Sequence, residues 1–446
     1  MLRVSDNGRF LVEDDGTPFF WMGDTAWGLF HRLTAEEADL YLLNRAAKGF
    51  NVVQACLIAP GRLNGLGPNA CGHAPLADND PARPSPAHFD HADAIIQRAA
   101  SHGIHVALVP VWGAVYVAGY QDGPRVFDDA KAREYGAFVG ARYRDRENIV
   151  WVLGGDVPVV VEDRDYISLW RAMVEGIKSE DRSGHLMTYH PRGGQTSATW
   201  LHDEEWLDFN MLQSGHSHRT RNDERIAADY ALAPPKPCVD GEPRYEDHPD
   251  RGDAYHGYID DFDVRKAAYW AVFAGAFGHT YGCHAVWQYW QPGREAVTGA
   301  RTPWTEALEL PGADDMRHLR ALLGSRSILT RVPDPSLVVL GEGKAAEHVW
   351  ATRGDDYAFL YVIPTLSPIT IRLGVITGDR VTAWWYDPRD GTHIPAGTIP
   401  NTGIRAFTPP PTPADAGRGC DWVLVLDDAA QGYPPPGIPA HRHVAG

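Results

Sequence analysis

Cysteine is sparse and never paired. Five thiols stand at 56, 71, 238, 283 and 420, and no CxxC occurs, which removes both the ligand spacing of a zinc site and a disulfide framework. Reduced thiols are expected. Long apolar runs are missing as well. Nothing reaches about 18 consecutive apolar residues, so no membrane span is expected. Positive charge is in deficit, with 41 Lys and Arg against 58 Asp and Glu and a formal net charge of -17. That balance argues against nucleic acid and anionic membrane surfaces as partners. The first residues, Met1-Leu2-Arg3-Val4-Ser5-Asp6-Asn7-Gly8, lack a basic stretch followed by an apolar core. They do not read as a signal peptide, and a cytoplasmic location is expected.

Aromatic residues are plentiful, with 15 Trp and 18 Tyr in 446 residues. Such rings anchor cores, and they also stack on the C–H faces of sugars, so their number decides nothing and their positions matter. Two segments stand out: Ile149-Val150-Trp151-Val152-Leu153-Gly154-Gly155-Asp156 and Pro237-Cys238-Val239-Asp240-Gly241-Glu242-Pro243. Each is a continuous apolar run, as in a buried parallel strand, that stops at glycine and then a carboxylate. A strand-end acid is often only a helix cap. Two of them at the mouth of one barrel are the minimum equipment for hydrolysing a glycoside.

Strand and helix signals alternate along most of the chain. After a hairpin in residues 1–16, strands are expected at Phe19–Asp24, Asn51–Ile58, Ile104–Trp112, Ile149–Gly155, Leu186–His190, Leu207–Gln213, Lys236–Gly241 and His279–Gln288. Helices lie between them, the first opened by a Thr34/Glu37 capping box and the fifth the weakest. Eight such units predict an α/β fold, a (β/α)₈ TIM barrel over 17–328. Beyond Leu329 only strand-like runs follow, which predicts a small antiparallel β-sandwich over 332–430 and an irregular Pro-rich tail over 431–446. The short join at 329–335 implies that the sandwich packs on the barrel.

The expected strand ends gather one kind of residue: Asp24 and Trp27, then Gln54, Trp112, Asp156, His190, Gln213 with His216, Glu242, and Trp287. Acids, amides, imidazoles and indoles on one rim suit a polyol. Any one of them has a structural explanation; the recurrence on all eight strands is harder to explain that way.

The segments Phe20-Trp21-Met22-Gly23-Asp24-Thr25-Ala26-Trp27, Lys48-Gly49-Phe50-Asn51, Trp151-Val152-Leu153-Gly154-Gly155-Asp156 and Asp240-Gly241-Glu242-Pro243 together resemble the apiosidase-like glycoside hydrolases, family 140. Trp384-Trp385-Tyr386-Asp387-Pro388-Arg389-Asp390-Gly391 is similar to the C-terminal domain of these proteins, which is sometimes labelled collagen-binding. The resemblance implies a barrel related to the retaining glycosidases of clan A, with the acid/base after strand four and the nucleophile after strand seven. Most of that clan ends strand four in Asn-Glu, whereas this chain ends it in Gly155-Asp156.

The resulting expectation is a retaining glycosidase without cofactor or metal, acting on a carbohydrate and releasing a terminal sugar, a furanose such as apiose. Glu242 is the nucleophile and Asp156 the acid/base. Asp24, Gln54, His190, Gln213 and His216 bind hydroxyls, and Trp27, Trp112 and Trp287 form the floor and walls. Asp240 is the rival nucleophile, because a period of two places it on the same side as Glu242. The loops at 59–86 and 244–258 are expected to shape the pocket. Three alternatives remain open at this level. One is a pyranosidase on the same barrel, and another a non-catalytic carbohydrate-binding protein. The third is a metal-dependent hydrolase using His216-Ser217-His218, although its first strand would need a histidine pair where this one ends Gly23-Asp24-Thr25.

Overall fold

The computed structural model describes residues 1–119, 123–161, 164–341, 343, 347–363, 368–411 and 419–439. Eight parallel strands build its centre: β1 (Trp21–Thr25), β2 (Val52–Cys56), β3 (His105–Val109), β4 (Ile149–Gly154), β5 (Met187–His190), β6 (Asn210–Gln213), β7 (Cys238–Asp240) and β8 (Gly278–Tyr281). Their order is β5-β4-β3-β2-β1-β8-β7-β6. The ring closes between β5 and β6 by other means than a strand ladder. Thr188 Oγ1 donates to Phe209 O at 2.7 Å, and the Met187 amide donates to Asp208 Oδ2 at 2.7 Å. Every strand residue but His105 is buried, which is why the strands read as continuous apolar runs instead of alternating ones.

The helices form the outer layer. Ala35–Ala47 starts with the Thr34/Glu37 capping box, and the fifth helical unit is a single turn, Ala198–Leu201. The eighth strand is shorter than its apolar pattern suggests. It ends at Tyr281, and His284–Trp287 is a helical turn in the following loop. A short apolar run does not distinguish the two states. The chain turns at Gly282, where a Cβ would lie 2.0 Å from the Tyr245 ring.

Residues 1–19 contribute a three-stranded antiparallel sheet of Leu2–Val4, Leu11–Glu13 and Pro18–Phe19. The C-terminal domain holds a six-stranded and a three-stranded antiparallel sheet. Two of its strands, His393–Pro400 and Ile404–Phe407, carry mostly exposed residues and so lack an apolar signature. In the strand Tyr357–Val362, Ala358, Leu360 and Val362 enter the core between the two sheets, while Tyr357, Phe359 and Tyr361 join the barrel core. Tyr361 stacks on Tyr269 at 4.8 Å. Arg265 forks onto both oxygens of Asp421 at 2.8 and 2.7 Å. The helix Asp261–Phe273 therefore lies between barrel and sandwich, buried from Phe262 to Phe273. Of the tail, residues 440–446 lie outside the described residues.

Candidate active site

Strand β4 leaves the barrel through three successive residues in the left-handed region, Gly154 (φ +87), Gly155 (φ +97) and Asp156 (φ +54). A Cβ on Gly154 would lie 2.4 Å from His190 O, and one on Gly155 would meet Trp112 at 3.0 Å. Only glycine fits this turn, and Asp is among the few side chains that tolerate the third position. The turn delivers Asp156 to a cavity of about 240 Å³ at the C-terminal mouth of the barrel. Glu242 lies two residues beyond the end of β7 and lines the same cavity.

His190, at the end of β5, touches both segments. Its Nδ1 accepts the Asp156 amide at 3.3 Å, which leaves the ring proton on Nε2 in the neutral tautomer. Nε2 lies 2.8 Å from Glu242 Oε2. The approach is short but off the line of the ring N–H, so it is an electrostatic contact more than a straight hydrogen bond. On the other side His216 donates from Nδ1 to Pro243 O at 2.8 Å and turns Nε2 toward Glu242 Oε1 at 3.3 Å. Burial alone pushes the Glu242 carboxyl up. The two imidazoles outweigh burial and hold it well below the usual glutamate range. Glu242 is thus a buried carboxylate kept ionised.

The walls are aromatic. Trp27 and Trp112 meet at 5.1 Å, and Trp27 stands edge-on to His190 at 5.2 Å. Opposite them, the His216 ring lies 4.1 Å from Tyr245 and 4.6 Å from His248, and His248 lies 4.4 Å from His284. Trp287 lines the cavity and donates from Nε1 to His284 Nδ1 at 3.3 Å. Burial draws His284 down to about 4, so this ring is neutral at neutral pH. Burial and the Glu242 charge together push the Tyr245 hydroxyl up.

Seven residues singled out from sequence line this cavity: Trp27, Trp112, Asp156, Gln213, His216, Glu242 and Trp287. Three others sit elsewhere. His190 lies fully buried behind Glu242. Gln54 is buried too, and its Nε2 donates to Gly241 O at 2.7 Å, bracing the residue before Glu242. Asp24 faces the helical layer, where Oδ2 accepts from Tyr41 at 2.7 Å and pairs with Arg45 at 2.6 Å. It is part of a buried ion pair and does not reach the cavity.

Asp240 also departs from expectation. It turns to the helical layer, where Ser214 Oγ donates to it at 2.7 Å and Asn222 Nδ2 at 3.1 Å. Burial pushes its carboxyl up to about 6. Asp240 and Glu242 do not share a side, as a period of two would require, because β7 ends at Asp240 and the backbone turns before Glu242.

Six lining residues were not foreseen individually: Pro60, Arg62, Tyr245, His248, Val297 and Thr298. The first four fall in the two loops expected to shape the pocket, whereas nothing in the sequence marks 297–298. His216 and His218 have separate partners, Glu242 and Asp263. Among the described residues no group of three or more His, Cys, Asp or Glu is arranged to hold a metal ion.

Comparison with known proteins agrees with this geometry. Residues 5–330 match the model of the apiosidase-like catalytic domain, and residues 332–427 that of a putative collagen-binding domain of a collagenase. A solved structure described as a glycoside hydrolase is 35% identical, with a TM-score of 0.88 over 96% of this chain and 97% of the other. A family 5 glycoside hydrolase from Bacteroides vulgatus is also 35% identical, with a TM-score of 0.88 over 97% and 95% of the two chains. A putative glycoside hydrolase from the same organism shares the fold at 16% identity, with a TM-score of 0.69 over 96% and 82%. No functionally curated protein matches the chain. With 326 of its 446 residues in the catalytic-domain match, and with full-length relatives at 35% identity, the chain belongs to the apiosidase-like family of glycoside hydrolases.

Proposed function

We propose that the protein is a retaining exo-glycosidase of family 140 that releases a terminal furanose such as apiose, with Glu242 as nucleophile and Asp156 as acid/base. The observation that carries this reading is the pairing of an ionised carboxylate, pressed between two imidazoles, with a second carboxyl in one aromatic-walled cavity. In the first step a Glu242 oxygen attacks the anomeric carbon, the glycosidic C–O bond breaks, and Asp156 gives its proton to the leaving oxygen. In the second, water attacks the same carbon, Asp156 takes the water proton, and the Glu242–sugar bond breaks. The anomeric configuration is inverted twice and so retained.

Two features favour a small sugar. The cavity, about 240 Å³, is below the roughly 300–1,000 Å³ of sites for larger ligands. The acid/base is the shorter Asp, set on a tight glycine turn, and an Asp must stand closer to the glycosidic oxygen than a Glu would. The test is a panel of aryl furanosides and pyranosides, with the first-formed product anomer read by NMR. Turnover of an apiofuranoside with retention is expected. Turnover of pyranosides alone, or an inverted product, would overturn the substrate or the mechanism respectively. Binding of sugars without turnover of any glycoside would make the protein a lectin.

A further inference from the structure

Arg244 lies two residues beyond Glu242 and is 1% exposed. A charge so placed is costly to bury unless its donors are fully used. Its bonds all run to backbone carbonyls. Nε donates to Ser217 O at 2.8 Å, Nη2 to His218 O at 3.3 Å and to Thr220 O, and Nη1 to Asp263 O at 3.4 Å. These acceptors belong to two other segments, the loop after β6 and the first turn of the helix Asp261–Phe273. Asp263 adds a second tether by its contact with His218 Nδ1 at 2.9 Å. On its outer side the same loop is held by the His218 amide on Asp250 Oδ1 at 3.0 Å and by the Arg251 amide on His216 O at 3.0 Å. The loop that Arg244 grips begins with His216, the imidazole set against Glu242.

We propose that Arg244 is a positioning residue for the reaction: it ties the loop after β6 to the segment carrying Glu242 and so keeps His216 against the nucleophile. The inference rests on the reading of Glu242 as nucleophile. An aliphatic or amide side chain cannot reach four carbonyls spread over two segments. Lysine keeps the charge but offers donors from a single point. Without the clamp the loop keeps only the Gly215 amide on Glu242 O and the His216 ring on Pro243 O as direct ties to the nucleophile segment, and a loosened His216 costs Glu242 one of the two groups that offset its burial. The groups facing Glu242 or its cavity are His190 from β5, His216 from the loop after β6, Asp156 and Arg62 on the cavity wall, Cys56 from β2, and Tyr245 and His248 from its own loop. Only His216 is on the segment that Arg244 clamps.

The test compares wild type with Arg244→Lys and with His218→Gln. The second variant takes the imidazole from the side-chain tether to Asp263, at a side chain 23% exposed, where a folded protein is expected. Two quantities are read: the pH profile of kcat/KM on an aryl glycoside, and the titration of the Glu242 carboxyl by NMR of protein carrying ¹³C at the glutamate carboxyls, assigned with Glu242→Gln. Arg244→Lys should lower kcat/KM by about ten- to a hundred-fold and raise both the acid limb and the Glu242 midpoint, by on the order of one unit. His218→Gln should shift both the same way by less. A folded Arg244→Lys enzyme with an unchanged Glu242 midpoint would overturn the inference whatever its activity, since a mere strut would cost stability alone. If Arg244→Lys does not fold, an unchanged midpoint in His218→Gln overturns it. A wild type that hydrolyses no glycoside would end the nucleophile reading, while the NMR titration would still decide whether Arg244 sets the state of Glu242.

Discussion

His190 spends both ring nitrogens on the site, one on the Asp156 amide and one on Glu242. With His216 it holds Glu242 ionised, and this carries a pH consequence. A carboxyl depressed below its usual range keeps its charge as pH falls, so the acid limb of kcat/KM should lie below the ordinary glutamate value of about 4.3. An acid limb at or above that value would mean that the imidazoles do not act on Glu242 as the geometry implies. The roles of the two acids separate by substrate. Glu242→Gln should be nearly inactive on natural and activated glycosides alike, by a factor of about 10⁴ or more, because no covalent step remains. Asp156→Ala should be nearly inactive on natural glycosides yet form the glycosyl-enzyme from an activated one, after which azide should restore turnover with retention. The reverse pattern would exchange the roles.

At the scale of elements, the turn at the end of β4 is the most demanding piece of backbone. Gly155→Ala would force a Cβ into contact with Trp112 at a φ of +97, a strain of about 1–3 kcal/mol. Relief of that strain should move Asp156, so kcat/KM should fall about a hundred-fold in a protein that still folds. An unchanged rate would show that the turn does not aim the acid. The same turn explains what sequence could reveal. Gly154-Gly155-Asp156 and Gly241-Glu242 interrupt strongly apolar strands, so both acids are conspicuous, and the alternation of buried strands with capped helices points to the barrel. Asp24 and Asp240 look equally conspicuous, but their partners, Arg45 and Asn222, belong to helices, and no strand pattern tells which way a strand-end side chain turns. The His284–Trp287 turn hides in an apolar run, and the exposed strands His393–Pro400 and Ile404–Phe407 have no apolar stripe to read. Tyr245 and His248 are brought to the pocket by loop geometry, which carries no periodic signal.

Across the whole molecule, the sandwich and the barrel share the helix Asp261–Phe273. Tyr269 and Phe273 are covered by Tyr361 and Phe359, and the buried Arg265 is neutralised in part by Asp421 of the sandwich. A chain ending at Arg331 would leave that apolar face in water and Arg265 with fewer partners. It should be recovered mainly as insoluble protein, or melt well below the full-length chain. A soluble, fully active barrel of equal melting temperature would show that the sandwich is dispensable to the fold. The same helix is opened by the Asp260/Asp263 capping box, and Asp263 contacts His218 in the loop bearing His216, so the C-terminal domain supports the site through the barrel wall without lining it.

A nucleophilic Glu242 must form a bond to the sugar. Incubation with an activated fluoro-glycoside of the sugar released, followed by intact-mass analysis and peptide mapping, reads that bond directly. One glycosyl group per chain, attached at Glu242, is the predicted result. A label on Asp156 or Asp240, or an active enzyme that takes no label and gives an inverted product, would contradict it.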